Sequence, residues 1–278
     1  MSRVIYNDTV DAITLVSGTA HPEYPLANLR DNHPRKPFRT IGNECTLTVL
    51  EPGMANALAI VLTNATQITI TPVLSVVYSW GEDATGGTIG SGEDATGSAL
   101  SLVDDTVNEM FDVTEENYDG QTGTMVAVFS TSGWYRQIQV HLRADNDDHV
   151  SVGLLTAGQS LRFRDFEHSS YQGTSEDKST EVELNDGSFW YKSGRILRKP
   201  SGYIVMHADP SQGDPKGYAS FQDFMAKTWL TQGKTPMVWQ LSERGLESNL
   251  FAGIEQPPVY VMHGLGYKLV SINLKERI

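Results

Sequence analysis

Apolar and polar positions in this chain alternate over most of its length, as half-buried strands require, and turn helical at one place. That place is Ser220 to Leu241. Phe221, Phe224, Met225, Thr228 and Trp229 fall at i, i+3, i+4, i+7 and i+8, one continuous stripe. Ser220 stands at the N-cap, and Asp223 complements the first turn. Gly233 offers a left-handed stop, and Pro236 forbids continuation. The spacing therefore predicts a helix over 220–232. Met237, Trp239 and Leu241 then alternate with Val238 and Gln240, a strand. So apolar a helix needs a sheet to lie on.

Strands are expected at Arg3–Tyr6, Ala12–Val16, Cys45–Leu50, Ala57–Leu62 and Gln67–Val77. Ile68, Ile70, Pro72 and Leu74 share one face of the last, and Pro72 marks an edge or bulge. Met125–Phe129 and Tyr135–Leu142 follow, with Tyr135, Gln137, Gln139 and His141 expected on one face and Arg136, Ile138, Val140 and Leu142 on the other. After Gly153 the order is strand, strand, strand, helix, strand, strand, strand, an antiparallel meander with one helix inserted. The fold class is mainly β (α+β). Residues 1–150 are expected to form a β-sandwich or jelly roll. Residues 151–278 are expected to form an antiparallel β-barrel with one helix packed on it.

Charge sharpens that division. The formal net charge is −13, and residues 1–150 carry all of it, with 7 Lys+Arg against 20 Asp+Glu. Phosphate-backbone binding by the first part is thereby disfavoured. Its one basic cluster is Arg35, Lys36 and Arg39, in a segment, Ala20–Gly42, with four prolines. Arg39 is expected to pair with an acidic neighbour and fix this loop; a phosphate or partner site is the alternative. The hexapeptide Gly-Glu-Asp-Ala-Thr-Gly occurs at Gly81–Gly86 and again at Gly92–Gly97, and reads as an acidic loop or hairpin tip. The run Asp145, Asn146, Asp147, Asp148 reads as a polar turn.

Chemistry is sparse. The seven histidines show no i, i+3 or i, i+4 spacing, the one cysteine, Cys45, has no partner for a disulfide, and neither G-x-S-x-G nor HExxH occurs. No enzyme activity, metal or cofactor is expected. The first fifteen residues show neither a basic stretch nor an apolar core, so no signal peptide is expected, and no apolar run approaches the ~20 residues of a membrane helix.

Two stretches carry family resemblances. Ala27, Asn28, Leu29, Asp31, Pro34 and Arg39 resemble the opening of discoidin-like, galactose-binding-type β-sandwiches of tailed-phage virion proteins. Gly-Leu-Leu-x-x-Gly at Gly153–Gly158, the helix carrying Phe221, Phe224 and Trp229, Pro-x-x-Trp at Pro236–Trp239 and the terminal Leu274–Ile278 resemble the tail-tube fold of phage tail-tube and distal tail proteins. The resemblance implies a structural virion protein of a phage tail tip, assembled in the host cytoplasm. It implies a ring, a hexamer that extends the tail tube and passes DNA through its lumen. Its implied partners are copies of itself, the tail tube protein, and baseplate hub or tail fibre proteins; no membrane is involved. The alternative is a cell-surface carbohydrate-binding protein with Trp80, Trp134 or Tyr135 as stacking platforms for glycan.

Overall fold

The computed structural model describes residues 2–6, 10, 12–74, 118–119, 123–183, 189–209, 214, 216–241, 248–264 and 266–278. The acidic repeat and Trp80 lie outside the described residues. The strands are β1 (Ser2–Tyr6), β2 (Ala12–Ser17), β3 (Phe38–Arg39), β4 (Glu44–Val61), β5 (Gln67–Leu74), β6 (Tyr118–Asp119), β7 (Thr124–Arg143), β8 (Ser151–Val152) and β9 (Leu154–Phe163). They continue as β10 (Gln172–Asp177), β11 (Thr180–Glu183), β12 (Phe189–Lys192), β13 (Ile196–His207), β14 (Met237–Leu241), β15 (Ser248–Ile254), β16 (Val259–Met262) and β17 (Tyr267–Glu276). The chain is mainly β, with curled antiparallel sheets and one short α-helix among the described residues.

One sheet runs in the order β10-β13-β17-β15-β14-β1-β9-β4-β7-β5, with β2, β6 and β16 added at its sides. Two long strands hold it together. β4 spans 18 residues and β7 spans 20, where the alternation predicts two shorter strands in each case. Register shifts between Leu50 and Gly53 and between Ala55 and Ala57 let β4 change neighbours. Its first half pairs with β2, its second half with β9, and β7 follows it throughout. Bulges of this kind bend a strand from one layer into the next.

The six strands β7-β4-β9-β1-β14-β15 curl until β15 returns to β7, where the buried Asn249 Nδ2 donates to the Thr124 carbonyl at 3.0 Å. All six contribute to one apolar cluster: Ile5, Ala57, Ala59, Val61, Val126, Leu154, Val238 and Phe251. Alternate residues of the same strands face outwards into two further cores. Leu58, Ile60, Met125 and Leu155 join the core of the 10–157 region. Val4, Phe163, Trp239 and Leu250 join a core built mostly from residues after 160. These strands are buried on both faces, which is why Ala57–Leu62 and Met237–Leu241 read as nearly unbroken apolar runs.

The helix lies where the stripe requires. It opens as α-helix α1 (Phe221–Met225) and continues as a wider π turn over Ala226–Leu230. Ser220 Oγ accepts from the Asp223 N–H at 3.1 Å and donates to Asp223 Oδ2 at 2.8 Å, a reciprocal cap. Phe224 meets Phe163 edge-on, ring centroids 5.6 Å apart, and Trp239 at 6.3 Å. Trp239 is fully buried, and its Nε1 donates to the Ala252 carbonyl at 2.9 Å. Met225 and Trp229 pack partly buried at the margin. Gly233 takes φ +58° and donates to the Trp229 carbonyl, ending the helix as expected. The π turn is not in the stripe. Thr228, buried, turns its hydroxyl back onto the Phe224 carbonyl at 2.6 Å within it.

Candidate functional site

An open cleft of about 970 Å³ lies between three segments of chain. Its first wall is the proline-rich loop at 34–39. The Asn28 side chain donates to the Pro37 carbonyl at 3.1 Å, and fully buried Leu29 anchors the preceding 3-10 turn in the core. The Arg39 guanidinium lies over the Tyr24 ring, 4.4 Å from its centre, and the Arg39 N–H donates to the Tyr24 carbonyl. Arg39 thus fixes the loop, but not as expected: it stacks on an aromatic face and meets no carboxylate among the described residues.

The floor is the turn after β4. Leu62 adopts φ +55°, a strained conformation for a residue with a branched side chain. The next residue, Thr63, donates its N–H to the Gly123 carbonyl at 2.8 Å. A Cβ at Gly123 would stand 2.4 Å from the Thr63 carbonyl oxygen, and one at Gly153 would stand 2.5 Å from that of Pro34. Only glycine permits these approaches, so Gly153 sets the distance from floor to wall and Gly123 packs the floor itself. Asn64 is committed to structure: its Oδ1 accepts from Ser151, and its Nδ2 donates to Asp147 and to the His149 carbonyl.

The second wall is the β11–β12 hairpin. At its base Lys178 donates its N–H to the Arg195 carbonyl at 3.0 Å, and Gly194 donates to Ser179 Oγ at 2.8 Å. The register pairs Thr180 with Lys192 and Val182 with Trp190, so these four side chains share one face; Glu181 and Tyr191 take the other. Thr180 and Lys192 line the cleft. Trp190, 50% exposed, continues that face towards the hairpin tip.

The lining carries five cations, Arg35, Arg39, Lys178, Lys192 and Arg195, and no aspartate or glutamate among the described residues. Lys178 is neutralised by Glu176. Glu176 also meets Lys199 and Lys275, both at 2.9 Å, and the hydrogen bonds from Lys178, Lys199 and Lys275 hold its carboxyl well below the usual carboxylate range. A smaller concavity of about 550 Å³ lies beside Arg164 and Tyr267. Its arginine is occupied, since Asp214 pairs with it at 2.6 Å.

The sequence-predicted stacking platforms do not meet in this cleft. Trp80 lies outside the described residues, as does the side chain of Trp134. Tyr135 is only 2% exposed and packs edge-on against Phe129, centroids 5.3 Å apart, so it belongs to the core. The cause is a bulge. Val73 pairs with Gln137 but Leu74 pairs with Tyr135, so Arg136 is an extra residue that turns Tyr135 to the buried face of Ile138 and Val140. Alternation alone places Tyr135 with Gln137. The predicted turn at 145–148 is structural: Asp145 pairs with Arg143 at 2.9 Å, and Asp148 with His149 at 2.8 Å. Among the described residues no group of three His, Cys, Asp or Glu could hold a metal ion, and no helix is long and apolar enough to cross a membrane.

No protein-family model and no curated protein matches the chain. Similar solved structures include CBM32-1 from a family 31 glycoside hydrolase of Clostridium perfringens, at 8% identity over 55% of this chain and 98% of that one, with a TM-score of 0.35. A second C. perfringens module, CpGH89CBM32-6, covers 54% of this chain and 98% of its own at 13% identity and a TM-score of 0.30. A fucolectin from striped bass (Morone saxatilis) serum covers 98% of this chain and 99% of its own at 10% identity and a TM-score of 0.35. These are carbohydrate-binding modules and a lectin; none is a virion, tail or baseplate protein. The expectation of a phage tail-tip ring is therefore withdrawn, and with it the hexamer, the tail partners and the DNA-conducting lumen. The short motifs that carried it have direct structural uses here. Gly153 admits Pro34, Trp239 fills the core beneath the helix, and Glu276 of the terminal strand pairs with Arg198.

Proposed function

We propose that the protein binds carbohydrate, without catalysing a reaction on it, in the cleft between the 34–39 loop and the β11–β12 hairpin. One observation carries the reading: a half-exposed tryptophan, Trp190, shares a hairpin face with Lys192 and Thr180, which line an open polar cleft. An indole left in water forgoes the burial that most tryptophans obtain. The apolar face of a pyranose ring stacks on an indole, while charged and hydroxyl side chains alongside donate to its hydroxyls. The turn after β4 forms the floor of the cleft, and the tight Gly153–Pro34 contact fixes the approach of the first wall.

The test is a glycan array followed by calorimetric titration of the best binder. Trp190→Ala is expected to weaken binding at least about tenfold with an unchanged unfolding curve, as for truncation of a buried aromatic anchor. Full affinity retained by a folded Trp190→Ala protein would sink the assignment.

A further inference from the structure

We infer that the cleft selects an anionic saccharide, one bearing carboxylate or sulfate groups. The inference rests on the carbohydrate reading of this cleft and adds the charge of the ligand. Five cationic side chains from the two walls converge on one concavity of a protein whose formal net charge is −13. Arg35, Arg39, Lys192 and Arg195 make no ion pair among the described residues. The Nε of Arg39 is buried without a hydrogen-bond partner, and stacking on Tyr24 prevents the guanidinium from swinging out to water. Like charges brought together inside a concavity repel, and an unpaired buried donor is costly. An anion seated there relieves both, through charge-assisted hydrogen bonds to planar guanidinium groups.

The surroundings favour a sugar acid over a nucleic acid. A polynucleotide needs a basic track along which several phosphates can lie. Here five cations gather in one cleft of about 970 Å³, and the 1–150 region that forms one of its walls is acidic overall. That volume suits a few sugar rings.

The experiment titrates the full chain with three saccharide probes and a control. The probes are oligogalacturonate (carboxylate), heparin oligosaccharide (sulfate) and neutral dextran oligosaccharide; the control is a single-stranded oligonucleotide. The expected result is at least tenfold tighter binding of one or both anionic saccharides than of the neutral one, weakening as salt rises from low to moderate concentration. The carboxylate and sulfate arms identify which group is read. Lys192→Ala and Arg195→Gln, singly and together, are expected to abolish that preference, and circular dichroism verifies that each variant is folded. Equal, salt-insensitive binding of the neutral and charged saccharides would overturn the anionic inference and leave the sugar site standing. Binding of the oligonucleotide alone, or of none of the probes and no glycan on an array, would overturn both.

Discussion

Gly194 approaches Lys178 so closely that a Cβ on it would stand 2.0 Å from the Lys178 carbonyl carbon and 2.2 Å from its oxygen. No side chain fits at that separation, and both atoms belong to the backbone, so neither can rotate aside. The contact closes the base of the hairpin that carries Lys192 and Trp190.

Gly194→Ala is therefore expected to tilt or unlatch the hairpin while leaving the main cores intact. A cost of about 1–3 kcal/mol, typical of overpacking, should appear in a urea unfolding curve. Affinity for the best saccharide should fall by at least tenfold. Unchanged binding by Gly194→Ala would separate the hairpin from the site.

Glu276 is a buried carboxylate residue in the sheet. It is 2% exposed, and its two oxygens take the Arg198 side chain at 2.9 and 3.1 Å and the Arg198 N–H at 2.9 Å. Arg198 also donates to the Asn249 carbonyl, so β13, β15 and β17 meet at this one pair. Glu276→Ala takes a buried carboxylate away from the Arg198 guanidinium and its N–H and is expected to cost about 3 kcal/mol, measured as a lower urea midpoint. A loss below about 1 kcal/mol would show that water replaces the carboxylate freely.

Glu176 gives a pH signature. The three lysines depress its folded pKa below the value of about 4.5 expected of an unfolded glutamate. A group depressed on folding contributes stability that is fully present above the unfolded value and fades as pH falls through the folded one. Wild type and Glu176→Gln should therefore differ in Tm from pH 5 to 8, wild type being higher, and the gap should narrow progressively as pH falls below about 4. Parallel Tm curves down to pH 2 would contradict this.

Cys45 is fully buried, and burial, with a smaller contribution from Glu44, pushes its thiol up to about 12. Only a minute fraction is thiolate at pH 8. Reaction with a disulfide reagent should be slower than that of a free thiol by on the order of a thousandfold, and should become fast in denaturant. Prompt labelling of the native protein would mean that the β2–β4–β7 layer opens readily.

Much of the architecture was legible because single-residue periodicities carry it. The helix announced itself through its stripe, its serine cap and Gly233. The central strands announced themselves as apolar runs because both faces are covered. Bulges were not legible. One extra residue at Arg136 reverses the parity of everything before it, and nothing in the local composition marks it, so a core tyrosine looked like a surface platform. β10 was missed because Gln172–Asp177 is polar and exposed, held by backbone pairing to β13 and by the Glu176 ion pairs. The cleft was half legible. Arg35 and Arg39 stood out as basic residues in an acidic region, but Lys178, Lys192 and Arg195 join them only through the fold. Trp190 carried a weak signal: a tryptophan in a short strand whose partner, Thr180–Glu183, has little to bury it against.

The place of β1 has a consequence for how the molecule is made. Val4, Ile5 and Tyr6 pair on one side with Leu161, Ser160 and Gln159; on the other, Val4 and Ile5 pair with Trp239 and Val238. Both partners are synthesised long after β1 itself, so an apolar ribbon waits without neighbours while most of the chain emerges. Pairings across such separations are slow to find, and an unpaired strand is a template for pairing with another molecule. A chain interrupted before residue 237 would keep that edge open for good. Ribosomal stalling or truncation late in the gene should accordingly yield aggregate rather than a shortened but usable protein.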